Sequence, residues 1–191
     1  MILLNLFKKP KQEDEKYSRY IDRMKAQDYI DSTRLYLDYV EEHLQYVAKA
    51  FAELSDACDG KEHWVGDDSA WYSLKAEVEC HDLSKLSKYE LVQYRDNFFP
   101  VKSEDKEKSG FKDACNHHVK NNHHHHESVR NYTDIVHMVI DWMAMSYKFG
   151  GCPHEYYLNN KHKMNIKAEY HDYIETLFLN LKDFRVTISC N

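Results

Sequence analysis

Between Asp31 and Leu54 the apolar residues Leu37, Val40, Leu44, Val47, Phe51 and Leu54 recur at three- and four-residue steps. Only an α-helix puts such a series on one face, so this stretch is amphipathic and must lie against a core. Breakers are scarce throughout, with 5 Gly and 3 Pro in 191 residues. Few breakers and many Lys, Glu, Leu and Tyr predict an all-α fold. The length suits one sizeable core. The expected architecture is a compact bundle of about six or seven helices.

Other signals place the remaining elements. Residues 8–20 are charged and read as a solvated arm or the start of a first helix, setting residues 1–30 apart from a domain over 31–191. Met1 to Lys9 reads as a frayed terminus, with a short membrane-touching or oligomer-forming tip as the alternative. Asp56 to Gly66 reads as a loop, after which Asp67-Asp68-Ser69 caps a helix reaching about His81, with Leu74 and Val78 inward. Ser87-Lys88-Tyr89-Glu90 fits a capping box and starts a helix to Phe98. Pro100 and the run Lys102 to Gly110 read as an exposed loop, and Phe111 to Lys120 as a short helix interrupted by Asn121-Asn122. A long helix is expected from Glu127 to Phe149, with Val136, Val139, Ile140, Met143 and Met145 buried and Gly150-Gly151 ending it. Tyr156 to Lys163 is a loop or short helix, and Ala168 to Phe184 a last helix. Val186-Thr187-Ile188 could be extended but is too short to build a sheet.

Charge and cysteines narrow the function classes. A formal net charge of −6 leaves no net basic surface for counterion release, so stable nucleic-acid binding is not expected. No segment is long and apolar enough to cross a bilayer. The 5 cysteines contain no Cys-x-x-Cys pair, which favours free thiols and a cytoplasmic setting. The 15 tyrosines bring hydroxyls that need partners, which suits a cleft lined by phenols. Homo-oligomerisation is left open.

The chemistry concentrates in the histidines, 13 in all. His43 falls on the periodic helix, and His81-Asp82 follows in Cys80-His81-Asp82-Leu83-Ser84-Lys85. His117, His118 and the run His123-His124-His125-His126 come next, and Asp141 lies within Ile140-Asp141-Trp142-Met143. Imidazole and carboxylate together suit zinc, iron, manganese, nickel or cobalt. A His-Asp pair could present two ligands to neighbouring metal positions from one helix turn. Successive residues on a helix diverge by about 100°, so His117 and His118 cannot both face a site, and His118 is preferred. His137, four residues before Asp141, is either a packed core histidine or a group orienting a ligand.

The order His43, then His81-Asp82, then Asp141 resembles the HD-domain superfamily of metal-dependent phosphohydrolases. More narrowly, His81-Asp82-Leu83-Ser84-Lys85, Asn116-His117-His118-x-x-Asn121-x-His123-His124 and Asp141-Trp142-x-Ala144-Met145-Ser146 are similar to a phage and bacterial HD-like family. The resemblance spans residues 35–160 and lacks the Gly-Tyr-Pro motif of the branch that cleaves cyclic dinucleotides. It implies a helical HD-like bundle with metal between its helices. It implies His43, His81, Asp82, His118, His123, His124 and Asp141 as ligands of divalent transition metal, two ions in the fuller form. His125 and His126 are then passengers.

The same resemblance implies the hydrolysis of a small phosphorylated substrate, a nucleotide or related phosphoester, in the cytoplasm of a bacterial or phage-infected cell. Asp82 would bridge or anchor metal, and Lys85 would meet the substrate's anionic group. Ser146, Lys148, Tyr156 and Tyr157 would line the rim and hold phosphate or base. Two other readings share the residues. One is a di-iron oxygenase that cleaves C–C or C–P bonds, and the other a non-catalytic nucleotide-binding protein.

Overall fold

The computed structural model describes residues 12–57 and 67–183. The readings at Met1 to Lys9, at most of Asp56 to Gly66 and at Val186-Thr187-Ile188 lie outside the described residues. Within them the protein is all-α. Eight helices run in chain order: α1 (Gln12–Ala57), α2 (Asp68–Glu79), α3 (Leu91–Phe98), α4 (Ser103–Lys108), α5 (Phe111–Asn121), α6 (Tyr132–Phe149), α7 (Pro153–Asn160) and α8 (Ala168–Asp183). Short 3₁₀ turns occupy Leu83–Leu86 and Lys161–Lys163. None of these helices is long and apolar enough to cross a membrane.

The helix α1 is continuous over 46 residues, roughly 69 Å at the usual rise, and runs through the expected boundary at residues 30 and 31. Its buried seam is Tyr36, Val40, His43, Val47, Ala50 and Leu54, a strict alternation of four- and three-residue steps. That seam lies one residue out of phase with the purely apolar series, so Leu37 is 41% exposed and His43 is 5% exposed. A polar residue occupies a core position because the seam faces a polar centre.

The most extensive packing joins α1 to α6. Thr133 to Ile140 are all buried, as are Met143 and Ala144, so α6 is covered on every side over its first turns. A helix covered all round belongs in the middle of a bundle, and its buried polar groups Asp134 and His137 have partners there. Asn131 caps it by accepting from the Asp134 amide at 3.0 Å. The helix therefore starts at Tyr132 rather than Glu127, and residues 122–131 form a turn-rich loop. Met145, expected inside, is 37% exposed.

Two apolar cores result. The larger joins α1 (Val47, Ala50, Leu54), α2 (Leu74, Val78), α6 and α8 (Ile174, Phe178, Leu181), with Tyr157 from α7. The smaller gathers Tyr36, Val40, Tyr94 and Ala114, with Phe99 and Phe111 against it. His43 lies on α1 between Val40 of one core and Val47 of the other.

Further local expectations are corrected by tertiary context. The run expected as a loop after Pro100 contains α4, whose first turn is held by the Asp105 side chain on the Lys102 amide at 3.1 Å. Of the two readings of Tyr156 to Lys163, loop or short helix, the helix holds, through α7 and the 3₁₀ turn after it. The Ser87 to Glu90 capping box does not form. Glu90 is the N-cap of α3 without a side-chain cap, and its carboxylate is turned inward and fully buried. Cys80 and Cys115 carry free thiols as expected, whereas Cys152 is disulfide-bonded.

Candidate metal centre

The helix α2 ends at Glu79, so His81 and Asp82 sit in the turn beyond it rather than on a helix face. Asp82 has φ 55°, the only positive φ at a non-glycine among the described residues. Aspartate tolerates this left-handed region better than most residues, but still at a cost, and such residues cluster at functional sites. The turn lets adjacent residues address one centre. His81 is 1% and Asp82 2% exposed.

Four side chains from three parts of the chain meet there. His43 Nε2 lies 3.0 Å from His81 Nε2 and 3.2 Å from Asp141 Oδ1. His81 Nε2 lies 3.3 Å from Asp82 Oδ2 and 3.6 Å from Asp141 Oδ1. His43 Nε2 is 3.6 Å from Asp82 Oδ2. Donor atoms about 2.1 Å from a tetrahedrally bound ion would stand roughly 3.4 Å from one another, so these spacings match a coordination shell.

The other oxygen of Asp82 faces a second set. Asp82 Oδ1 lies 3.1 Å from His118 Nε2 on α5 and 3.3 Å from His124 Nε2 in the loop after it. His125 offers a further nitrogen within 4.8 Å of these ligand atoms. Asp82 Oδ1, His124 Nε2 and His125 Nε2 are all buried without a hydrogen-bond partner. Unpaired buried polar atoms are costly, and a group of them aimed at one another needs a shared partner. A cation is the partner their lone pairs suit, so the residues present fit a metal.

Electrostatics agree. Burial opposes charge on Asp82, yet His81 and Lys85, with the His118 and His124 imidazoles close against Oδ1, hold its carboxyl well below the usual range. Burial likewise opposes charge on Asp141, where the hydrogen bond from His43 and the nearby His81 and His124 lower it. Burial keeps His124 and His137 neutral to lower pH, and pushes His125 down to about 3 with help from His124 and His118. Ionised carboxylates and neutral imidazoles are the forms that bind metal.

The expected ligands His43, His81, Asp82, His118, His124 and Asp141 are thus brought together. His123 is not. Its Nδ1 lies 3.0 Å from the Ser128 carbonyl, and His125 rather than His123 joins the group that could hold an ion. The loop backbone after α5 turns, so ligand positions shift by a residue from what spacing suggests. His137, buried on α6, places its Nε2 2.9 Å from His81 Nδ1 and groups with His81 and His124.

Supports that the sequence did not reveal surround His118. Its Nδ1 lies 3.0 Å from Glu90 Oε2 and 3.0 Å from Ser84 Oγ, and Asn122 Nδ2 donates to Ser84 Oγ at 2.8 Å. Glu90 was hidden by its fit to a capping box. The buried polar fraction of a helix start gives little signal in one sequence.

A cleft of about 740 Å³ opens onto the centre. Its walls include His43, Asp82, His118, His124, Asp141, Tyr39, Tyr94, Trp142 and Tyr156. Lys85 is the only lysine or arginine on these walls among the described residues, and its Nζ sits 2.5 Å from Asp82 Oδ2. Ser146 lines the cleft while donating to the Met143 carbonyl at 2.6 Å, and Tyr156 packs edge-on against Trp142. Lys148 does not line it. This lysine pairs with Glu42 and lies 3.8 Å over the Tyr39 ring, because α6 carries it back onto α1. Tyr157 is fully buried core, with its hydroxyl 3.0 Å from His171 Nδ1.

Fold and site together define an all-α protein with a buried histidine–aspartate centre that could hold metal. The chain belongs to a family of unknown function (DUF5662), whose model matches residues 32–183. No curated protein and no solved structure matches it.

Proposed function

We propose that this protein is a metal-dependent phosphohydrolase of the HD type, acting on a nucleotide or a related small phosphoester. The observation that carries this reading is the Asp82 carboxylate, whose two oxygens serve two separate donor sets. His43, His81, Asp82 and Asp141 would hold one divalent ion, and Asp82, His118, His124 and His125 a second. Ions so placed supply Lewis acidity toward a phosphoryl group and lower the pKa of water toward neutrality.

The protein's own groups account for the rest. Asp82 and Asp141 are anionic and so retain cations in a buried place. Lys85 neutralises Asp82 while the centre is empty of cations, and is freed toward the cleft once other positive charge takes over that task. It then offers its ammonium to an anionic phosphoryl oxygen. Tyr39, Trp142 and Tyr156 give the cleft aromatic surface for a ring such as a base. The depth of the centre keeps bulk water away and strengthens each charge.

The test is metal analysis and a visible spectrum of protein purified without added metal, followed by assay on a panel of nucleotides and other phosphoesters. Zinc, manganese or cobalt supporting phosphate release is the expected result. Two irons with oxygen-dependent absorption and no phosphate release would establish the oxygenase chemistry instead. Absence of any tightly bound transition metal would overturn both.

A further inference from the structure

We infer that Glu90 is a positioning residue that fixes the tautomer of His118, and so turns the His118 Nε2 lone pair toward Asp82 Oδ1. The inference rests on the metal reading above and adds a residue that coordinates nothing. Glu90 is fully buried. Its Oε1 lies 2.6 Å from His117 Nδ1, and its Oε2 lies 3.0 Å from His118 Nδ1 and 3.0 Å from Ser84 Oγ. As a carboxylate it can only accept. A bare His118 Nδ1 lone pair at that distance would leave two acceptors face to face in a dry interior.

Neighbouring groups close the alternatives. Asn122 Nδ2 lies 3.2 Å from His118 Nδ1, but its two protons go to Ser84 Oγ and the His118 carbonyl at 2.8 Å each, so the Ser84 hydroxyl is free to give its own proton to Glu90. The Nδ1–H of His118 then points at Glu90 Oε2. Its other nitrogen faces Asp82 Oδ1 at 3.1 Å, where a cation held between the two would receive both lone pairs. A carboxylate behind a ligating histidine in this way fixes ring and tautomer and raises ligand basicity. His117 takes the outer oxygen of Glu90 and is stacked on Tyr89, on the solvent side of α5.

Two measurements test it. Long-range proton–nitrogen NMR of zinc-loaded wild type reads the tautomer directly, and Nδ1–H at His118 is expected. Nε2–H there overturns the inference without any variant. Glu90→Gln keeps the shape but offers an amide donor to Nδ1, which favours the wrong tautomer. Titration of this variant with cobalt, followed by absorption and by bound-metal stoichiometry, should show the weaker ion reduced at least about tenfold in affinity and the other retained. His117→Gln, which touches only the outer oxygen, should titrate like wild type. A Glu90→Gln variant that folds and binds cobalt as wild type does overturns the inference. Wild type that binds no cobalt overturns the metal reading instead, whichever tautomer it shows.

Discussion

Lys85 Nζ lies 2.5 Å from Asp82 Oδ2, one 3₁₀ turn along from the carboxylate that both donor sets share. Burial works against the charge of Lys85, but Asp82 outweighs it and raises the ammonium above its ordinary range. The pair is nearly dry, with side chains 17% and 2% exposed. Removing one partner of such a pair leaves an uncompensated buried charge.

Lys85→Ala and Asp82→Ala should therefore fail differently. Metal-free Lys85→Ala should lose about 3 kcal/mol of stability, and added metal should restore most of it by neutralising Asp82. Its metal content should match wild type, while turnover efficiency on phosphoesters falls roughly tenfold to a hundredfold. Asp82→Ala should lose bound metal together with activity. Denaturant unfolding with and without metal, beside elemental analysis, reads both. If Lys85→Ala keeps full activity on every phosphoester tried, Lys85 does not handle phosphate.

His125 and His123 form a matched pair for the loop. His125→Ala should lower affinity for one ion, because its unpaired Nε2 is buried beside the Asp82 set. His123→Ala should leave stoichiometry unchanged, since its Nδ1 faces the Ser128 carbonyl and the residue stands outside the groups that could hold an ion. The reverse result would restore the ligand set expected from spacing. Calorimetric titration with zinc distinguishes them.

Stability of the metal-free protein should fall as the pH drops below about 6.5, the ordinary value for histidine. His124, His125 and His137 all have folded values lowered by burial, so they stay neutral in the fold. Between the folded and unfolded values only the unfolded chain takes up those protons, which draws the equilibrium toward it. Asp82 and Asp141 are also lowered, and their contribution persists until the pH falls below 3.8. Urea unfolding across this range checks the sign. A midpoint that rises on going from neutral pH to about 5 would show that the three imidazoles are protonated in the fold.

Core and centre should be separable. Leu54 is 1% exposed in the larger core, three turns along α1 from His43. Leu54→Ala should cost about 2–5 kcal/mol of stability. Metal stoichiometry measured under native conditions should not change. A parallel loss of metal would mean that α1 transmits strain along its length to His43.

How much was legible from the chain alone varies from residue to residue. The period of Val40, Val47 and Leu54 and the scarcity of breakers determined the helical class, because helical periodicity is a local property of neighbouring residues. The gathering of His43, His81, Asp82 and Asp141 was equally legible, because imidazole and carboxylate groups that suit a metal recur along the chain and meet in space. Tertiary structure decided what local signals could not. Whether Leu37 or Tyr36 faced inward depended on which seam of α1 met a polar centre.

His125 rather than His123 stands beside Asp82, His118 and His124 because a ten-residue stretch after α5 is shaped by turns, where position along the chain no longer predicts direction in space. Glu90 suited a helix cap by sequence, yet two histidines and a serine from other elements provided partners that its buried carboxylate needed. Periodicity and residue chemistry are written along the chain; which lone pairs converge is set by the packing of segments far apart in it.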